Sequence, residues 1–527
     1  MSMNPSSRRR VVLLAVVALA VGLPSLVLWR EHARVSRALD GWRGSGQAMT
    51  IDELLREPVG AGRPYVEFDR ALRMAQGACP SLADLLAGPP YPWDQVDEPL
   101  VLTEAQVEGI EQALGDLVGD LDDLGYLPDE DPLPQLRPTV PSATSALAAS
   151  IAERLGEGPV VFLGQQLELP NVYAIAYTLR DRGTVPAEDS IDADLLRLAL
   201  LELRPLAAVV HEFGQPAAPD WRAIFADQER LGAFADGRAL TGVVSLDAWL
   251  TLATALAAVE AGEGSFPGLA AAELDRRWSM AGLFEDSPVG EGLGLRLVLL
   301  RFYLNALESY QGRLDGDALA AESARLASLD LAREVRRAVE GERVLGHRGC
   351  RLLRGDLGAD ELLGEYREDH AARALGGGFA PWRRLRALGN HGRFLAHANR
   401  ASAALQSAGL ELFRPGSIVD LPDLELEPVV WLWAPTRGDE LCDLAVNGAE
   451  VEALRRMALC ALDWREGGER ALEASLAEHV DPLTGFEFER LDDGAGITTL
   501  HSAGLAVSEP EGVRRWRRSL DWTLPRP

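Results

Sequence analysis

Lysine is absent from this sequence of 527 residues, so all 52 of its basic residues are arginine. Arginine, alanine and glycine codons are GC-rich and lysine codons are not, so a GC-rich genome explains the bias. Positive charge is also scarce, because 80 acidic residues leave a net charge of −28. Nucleic-acid binding needs a basic surface, and anionic headgroups repel so acidic a chain. The composition therefore predicts no nucleic-acid partner and no broad adhesion to a membrane surface.

Cysteine is sparse, and its spacing excludes two kinds of site. The four residues are Cys79, Cys350, Cys442 and Cys460, and none forms a C-x-x-C pair, which excludes thioredoxin-like and zinc-ribbon sites. Cys442 and Cys460 would meet only if the segment between them folds back, and outside the cytoplasm a disulfide is then permitted. Buried free thiols are the favoured prediction, because cysteine packs as a small hydrophobe.

Long uncharged runs are rare, and the one that could span a bilayer lies at the N-terminus. Val11 to Trp29 contains nineteen residues without charge, or about 28 Å of helix, close to the hydrocarbon thickness. Arg8–Arg10 precede it, which favours a cytoplasmic N-terminus. Ala18-Leu19-Ala20 matches a cleavage site, but the apolar run continues beyond it, which favours an uncleaved signal-anchor over a cleaved peptide. We therefore predict a single-pass inner-membrane protein with a large periplasmic domain.

Helical periodicity dominates the rest of the chain. The predicted fold is mainly α, with a single N-terminal transmembrane helix, an irregular multi-helix domain and a small C-terminal α+β module with a β-hairpin. The predicted segments are a cytoplasmic tail at 1–10, the transmembrane anchor at 11–29, a helical stalk at 30–45, an α-helical domain at 46–445 with a sub-boundary near the proline-rich 127–141, and the C-terminal module at 446–527.

Local signals place individual elements. Thr50 and Glu53 form a capping box at a helix start, and Asp493-Gly494 is a turn between two strands, at 486–488 and 497–500. The remaining helices are predicted at 67–76, 103–124, 142–155, 169–182, 191–213, 245–261, 269–282, 292–310, 316–339, 360–374, 391–407 and 449–479, with Gly467 and Gly468 interrupting the last.

Two short motifs resemble those of a broad set of uncharacterised membrane-anchored proteins common in planctomycetes. One is Gly46–Leu54, which follows the anchor and stalk. The other is Asp481–Phe488, followed by a strand, a polar tail and the closing Asp521–Pro525. The resemblance implies the anchored topology. The family has no assigned activity, so the resemblance implies no functional residue.

The Asp481–Gly485 segment and its hairpin are also similar to the C-terminal part of pseudopilins from type II secretion, in which acidic residues of the next loop bind calcium. This chain departs from that pattern. Its loop at 502–507 contains no aspartate, and Arg8–Leu14 lacks the Gly-Phe-Thr-Leu-Glu type of start that a pseudopilin needs. The similarity implies a shared hairpin module and nothing more.

Several features begin like functional motifs without completing one. His211-Glu212 lacks the second histidine of a zincin helix, and the acidic residues of 116–131 lack the alternation of a calcium loop. Gly290-x-Gly292-x-Gly294 lacks the Lys-Ser/Thr of a phosphate-binding loop. No Gly-x-Ser-x-Gly elbow is present, which disfavours an α/β-hydrolase. We therefore predict no catalytic, cofactor-binding or metal-binding residue, and no cofactor.

Two polar stretches remain as candidate binding surfaces. His391, Arg393 and His397 lie in the most polar part of a predicted helix. Six positions separate the histidines, so they point in different directions, and an ordinary core or surface role is favoured. Trp382 with Arg383, Arg384 and Arg386 forms a basic-aromatic spot, which suits either an acidic partner or a solvated helix start.

The leading functional hypothesis is a membrane-anchored envelope protein without enzymatic activity, which acts as a scaffold or holds a protein or peptide in helical grooves. One alternative is an envelope hydrolase with a noncanonical site around His391, Arg393 and His397. Another is an accessory of a secretion or pilus-like system, suggested by the terminal hairpin. A deep pocket with convergent His, Asp or Glu side chains would favour the enzyme.

Overall fold

The architecture is that of a computed structural model, which describes part of the chain. The described residues are 5–54, 203–214, 239–262, 269–354, 380–408, 438–492, 498–504 and 519–525, with isolated positions between 68 and 78, between 185 and 200, and at 410. The side chains that lie outside the described part, although their backbone is helical, are those of 5–24, 51–52, 239–241, 291, 348–349, 352–354, 380–387, 390, 401, 404, 408 and 438–443. Helix accounts for 77% of the described residues, which confirms the prediction that the fold is mainly α-helical.

The described part of the chain contains ten α-helices. They are α1 (Pro5–Gly44), α2 (Ile51–Leu54), α3 (Leu206–Phe213), α4 (Ala239–Glu260), α5 (Ala270–Gly282), α6 (Gly290–Tyr310), α7 (Gly316–Ser328), α8 (Leu331–Arg354), α9 (Ala380–Ala408) and α10 (Gly438–Glu478).

Three strands form an antiparallel sheet near the C-terminus: β1 (Glu489–Asp492), β2 (Thr498–Ser502) and β3 (Leu520–Thr523), in the order β1-β2-β3. Leu500 at the centre of the sheet pairs with Arg490 on one side and with Trp522 on the other. The predicted hairpin is therefore present. The range predicted for its first strand, 486–488, is wrong, because the strand covers Glu489–Asp492. The predicted Asp493-Gly494 turn lies outside the described residues. The third strand is an addition that local sequence signals did not reveal.

Capping residues decide where several helices begin. The predicted cap at Thr50 is present, since Glu53 N donates to Thr50 Oγ1 at 3.2 Å. The Glu53 carboxylate accepts from Met49 N at 2.8 Å, one residue before the N-cap, so the return bond differs from that of a regular capping box. The single helix predicted at 316–339 is wrong. Leu329 is extended, and Asp330 Oδ1 accepts from Arg333 N at 3.0 Å, which starts a second helix.

Glycine and proline positions decide two further boundaries. Gly468 interrupts α10 with a φ of 65°, a conformation that favours glycine, so the predicted interruption is confirmed. The helix predicted at 191–213 is broken by a turn over 203–205, and α3 begins directly after Pro205. Proline has no N–H to donate, which suits a helix start.

One core unites α4, α5, α6, α10 and the sheet. Leu300, Tyr303 and Leu307 of α6 are buried in it, together with Leu500 and Trp522 of the strands. Trp522 Nε1 donates to Gln311 Oε1 at 3.1 Å, and Gln311 Nε2 donates to Thr523 O at 2.6 Å. The sheet is thus fastened to the C-terminal end of α6.

A second core joins α1 to α8 and α9. Val35 and Trp42 are buried in it, and Leu28 packs at its margin. These three residues recur every seven positions, which places them on one face of a helix. The residues predicted as a stalk are helical, and this face is packed against the domain.

Helix α9 is flanked by α1, which runs parallel to it, and by α8, which runs antiparallel to it. Along α1 and α9, Gly392 lies against Arg34, Asn399 bonds Ala38 O and Ser402 bonds Gln47, so the two helices run parallel. Arg343 of α8 bonds Asn399 at 3.3 Å, whereas His347 contacts His391, so α8 runs antiparallel to α9.

Within the described residues, one helical stretch is long and apolar enough to cross a membrane, namely Gly242–Glu260 of α4. Of this stretch, 72% is buried inside the protein, and its Asp247 is ion-paired with Arg277. Both features are typical of a core helix. The predicted anchor at 11–29 is helical as part of α1, and its membrane insertion stays a prediction.

Candidate functional site

The histidines singled out by the sequence lie in the core. His391 and His397 are both buried in α9, whereas Arg393 is exposed. Because α1 and α8 cover two sides of α9, two residues that point about 120° apart on this helix can both be buried. The structure therefore separates Arg393 from the histidines, and the core interpretation of His391 and His397 is confirmed.

Sequence reasoning missed the partner that α8 supplies. His347 Nδ1 lies 2.9 Å from His391 Nε2, and the His347 ring meets Trp42 edge-on at 5.5 Å between centroids. Helices α1, α8 and α9 therefore meet at this junction, although they lie far apart in the sequence. A local signal did exist: the seven-residue spacing of Leu28, Val35 and Trp42 marks α1 as a packing helix.

Arg343 is the least compensated charge of this junction. Its guanidinium stacks over Trp42 at 4.3 Å from the ring centroid, and its Nη1 donates to Asn399 Oδ1 at 3.3 Å. Its Nε and Nη2, and Nε1 of Trp42, are buried without a hydrogen-bond partner in the part of the chain that the structure describes. Burial lowers the pKa of Arg343 to about 10.

Other buried charges are matched inside the main core. Arg277 is ion-paired with Asp247 and Glu273 and donates to Thr251 Oγ1 at 2.8 Å. Tyr310 Oη donates to Glu273 Oε2 at 2.8 Å. A void of about 10 Å³ touches this group, enough for about one water molecule. The network connects α4, α5 and α6 around this small void.

Arg296 and Glu334 form a second internal pair between α6 and α8. Arg296 donates to both carboxylate oxygens of Glu334, at 2.7 and 2.9 Å, and to Ala281 O at 2.6 Å. Burial is the largest influence on Glu334 and raises its pKa, although the Arg296 charge opposes it. A buried, bidentate ion pair of this kind fixes the register of α6 relative to α8.

A third group involves Tyr303, Glu322 and Arg325. Tyr303 donates to Glu322, and Arg325 bonds the other oxygen of Glu322 at 2.6 Å. Burial, reinforced by the Glu322 charge, raises the pKa of Tyr303 well above 10. Burial also raises the pKa of Glu322. Every member of this group has a partner, which indicates a role in packing α6 against α7.

The remaining sequence candidates have structural explanations or lie outside the described residues. His211 and Glu212 are exposed at the end of α3. Gly290 begins α6, and its N–H donates to the buried Glu342 at 2.6 Å, so an internal carboxylate occupies the helix start. The acidic residues of 116–131 lie outside the described part. Within the described residues, no group of three or more His, Cys, Asp or Glu side chains could hold a metal ion.

The course of α10 shows whether Cys442 and Cys460 can form a disulfide. Cys442 and Cys460 lie on the same helical leg before Gly468, so about 27 Å separates them at 1.5 Å per residue. A disulfide between them is excluded, because bridged Cα atoms lie within about 7 Å. Cys350 and Cys460 are buried free thiols, as expected.

The Asp481–Gly485 motif is a structural turn. Asp481 accepts from Leu483 N at 2.9 Å, from Thr484 Oγ1 at 2.7 Å and from Ser502 Oγ at 2.7 Å. Its side chain therefore joins the turn to β2. Gly485 has a φ of 76°, which explains the glycine.

Next to this turn the protein exposes apolar side chains. Phe486 is 69% exposed and Leu491, in β1, is 46% exposed. All four residues of β1 are exposed, and among the described strands β1 lies at an edge of the sheet. Edge strands and exposed aromatic residues are the usual contact points for another chain.

No protein-family model, curated protein sequence or solved structure matches this chain.

Proposed function

We propose that this chain is a non-enzymatic envelope protein, anchored in the inner membrane by the N-terminal half of α1, whose periplasmic helical domain holds a protein or peptide partner. The observation that carries the proposal is the continuity of α1. One helix runs from the apolar segment to Gly44, and Leu28, Val35 and Trp42 pack it against α8 and α9. An anchor built in this way would hold the domain at a set orientation, as a scaffold requires.

The internal charges support a scaffold over an enzyme. Arg277, Arg296 and Glu322 form hydrogen bonds with partners within the core. Catalytic groups are instead expected to converge on an accessible cleft. The hydrolase alternative rested on His391, Arg393 and His397, and the exposed Arg393 lies apart from the buried histidines.

The partner surface that we propose is the apolar patch of Phe486 and Leu491. A peptide strand can pair with an edge strand through main-chain hydrogen bonds, while exposed apolar side chains supply contact area. The sheet lies at the C-terminal end of α6, where Trp522 and Gln311 fasten it. The patch is thus presented on a rigid support.

Two experiments test the proposal. If the tether is right, the full chain will float with phospholipid vesicles after washing at high salt and alkaline pH, and recovery in the soluble fraction would contradict it.

For the partner, a photocrosslinking amino acid is placed at Phe486 or Leu491 in cells, with Arg400 and Gln406 as exposed control positions on α9. A discrete adduct at the patch positions alone is expected. No adduct, or the same adduct from the control positions, would overturn the binding role.

A further inference from the structure

The junction of α1, α8 and α9 encloses a hydrogen-bonded pair of histidines. His347 Nδ1 lies 2.9 Å from His391 Nε2, and the two ring centroids are 5.0 Å apart. His391 is fully buried and His347 is half-buried. Because one of the two nitrogens must accept the proton that the other donates, the bond exists only while at least one ring is neutral.

Protonation of this pair has two steps with different effects. The first additional proton goes to the remaining nitrogen of the donor ring and leaves the bond between the rings in place. The second occupies the accepting nitrogen, so both rings become cations and the bond is lost. Histidine side chains change charge between about pH 5 and 8, so mild acidification is the condition that drives these steps.

A positive charge already lies beside the pair. Arg343 is four residues before His347 on α8, which places both on one face of the helix, and both contact the ring of Trp42. Nε and Nη2 of Arg343 are buried without a hydrogen-bond partner among the described residues. A further buried cation at this place is costly, because burying a charge costs free energy unless the charge is paired.

The acidic residues of the three helices are engaged with other residues. Helix α9 contains no Asp or Glu, and α1 and α8 contain five between them. Glu31 bonds Arg34, Asp40 bonds Arg43, Glu334 bonds Arg296, Glu342 accepts from Gly290 N, and Glu340 accepts from Gln47. Glu340 also interacts with the charge of Arg343.

The other titratable groups beside the pair add no negative charge at mildly acidic pH. Within six residues of the pair, the further described groups on α8 and α9 are the buried Cys350 and His397 and the exposed Arg351 and Arg393. Three of these four are basic, and a buried thiol is neutral under these conditions. Two charged imidazoles would therefore add repulsion to a junction whose acidic groups already have partners.

We propose that the His347–His391 pair is a pH-sensitive switch, here named the histidine switch, which opens the second core on acidification. When both rings are charged, their bond is lost and Arg343 repels them, so α8, α9 and the Trp42 face of α1 separate. The main core is held by other groups, such as the ion-paired Arg277, and stays folded. The inference needs no membrane tether. If the tether also exists, opening would release the anchor helix from the domain.

The direction of the pH effect follows from proton uptake. Opening lets both histidines bind protons that the closed junction disfavours, so the open state gains as the pH falls below about 6.5, where an unperturbed histidine is half-protonated. The main core responds in the opposite sense, because burial raises the pKa of Glu322 and Glu334, and such carboxyl groups favour the folded state at low pH. Opening of the second core is therefore distinguishable from global unfolding.

Hydrogen–deuterium exchange of the detergent-solubilised full chain, followed by mass spectrometry, measures the two cores separately. Labelling at about pH 7.5 and at about pH 5.5 is compared after correction for the change in intrinsic exchange rate. Peptides from 30–44 and 388–400 report on the second core, and peptides from 295–307 report on the main core. We expect protection of the second core to fall by about tenfold at the lower pH, the effect of losing one buried hydrogen bond, and protection of the main core to be retained.

Matched variants assign the response to the pair. His391→Gln keeps a side chain that can hydrogen-bond His347 but takes up no proton, so the second core should lose most of its acid response. His32→Gln changes an exposed histidine of α1 and should keep the wild-type response. Arg343→Met removes the neighbouring cation while an apolar side chain still covers Trp42, and it should weaken the response.

Three results would overturn the histidine switch. They are unchanged or increased protection of the second core at the lower pH, equal loss of protection in both cores, and the wild-type response in His391→Gln. If His391→Gln lacks main-core protection at the higher pH, Arg343→Met is used in its place, and a wild-type response there would overturn the proposal. Flotation of the wild-type chain tests the tether separately, so its failure leaves this inference intact.

Discussion

His347 and His391 share a hydrogen bond across the contact between α8 and α9, with 2.9 Å between Nδ1 of the first and Nε2 of the second. One of these nitrogens must donate a proton and the other must accept it. The pair is packed against Trp42 of α1. It therefore joins the two helices that hold the proposed anchor helix.

Replacing His391 by leucine tests whether this pair is structural. His391→Leu removes the hydrogen bond between the half-buried His347 and the buried His391 and should lower the free energy of unfolding by about 1–3 kcal/mol. Urea unfolding of the detergent-solubilised chain measures it. The control is Arg393→Gln, an exposed position on the same helix, which should change stability by less than about 0.5 kcal/mol. Equal effects of the two changes would contradict the structural role.

Gly346 lets α8 and α9 approach each other, because a Cβ there would overlap the Phe394 ring. Gly346→Ala should therefore cost about 1–3 kcal/mol of unfolding free energy. Gly41, within α1, has open space at the same atom, so Gly41→Ala should stabilise by about 0.5–1 kcal/mol through its better helix propensity. Thermal unfolding of both variants measures the contrast, and a stabilising Gly346→Ala would show that the helices are not in contact.

We expect the buried carboxyl group of Glu322 to make the free energy of unfolding depend on pH. Burial raises its pKa above the ordinary value of 4.5, so the folded state binds this proton more tightly than the unfolded state. Its contribution to stability is fully present below about pH 4.5 and is lost as the pH rises through the folded-state pKa. Glu322→Gln keeps an acceptor for Tyr303 and should flatten the loss of unfolding free energy above pH 4.5.

Urea midpoints at a series of pH values provide the measurement for Glu322. Glu473→Gln, at an exposed position of α10, should keep the wild-type slope. Because burial also raises the pKa of Glu334, some slope will remain in the Glu322 variant. An unchanged slope in Glu322→Gln would contradict the burial argument.

Cys460 should be unreactive while the chain is folded. Burial raises its pKa to about 11, and its Sγ accepts from Ser475 Oγ at 3.4 Å. A thiol-specific reagent should modify Cys460 only after denaturation, because the thiolate is the nucleophile. Mass spectrometry after mild oxidation should show no bond between Cys442 and Cys460. Detecting that bond in the folded chain would mean that α10 is not continuous between them.

Local features of the sequence predicted much of the helical framework. Thr50 and Glu53 marked a helix start, and Gly468 marked an interruption, because caps and glycine conformations depend on a few neighbouring residues. The break at Asp330 was readable in the same way and was missed, since apolar spacing continues across it.

The candidate site depended on distant residues. Sequence spacing placed His391 and His397 on different sides of one helix, but it could not supply His347, which lies 44 positions from His391. The third strand was also beyond local signals, since β3 is defined by pairing with β2 about twenty residues earlier.

By itself, the sequence determined the acidic composition, the helical class and an apolar N-terminal segment, because these follow from residue types and short-range periodicity. Only the tertiary structure decided that α9 packs between α1 and α8, that His347 lies beside His391, and that Cys442 and Cys460 are held apart. Each of these depends on which helices lie side by side and in which direction. Burial of apolar surface selects that arrangement across the whole chain, and no short segment encodes it.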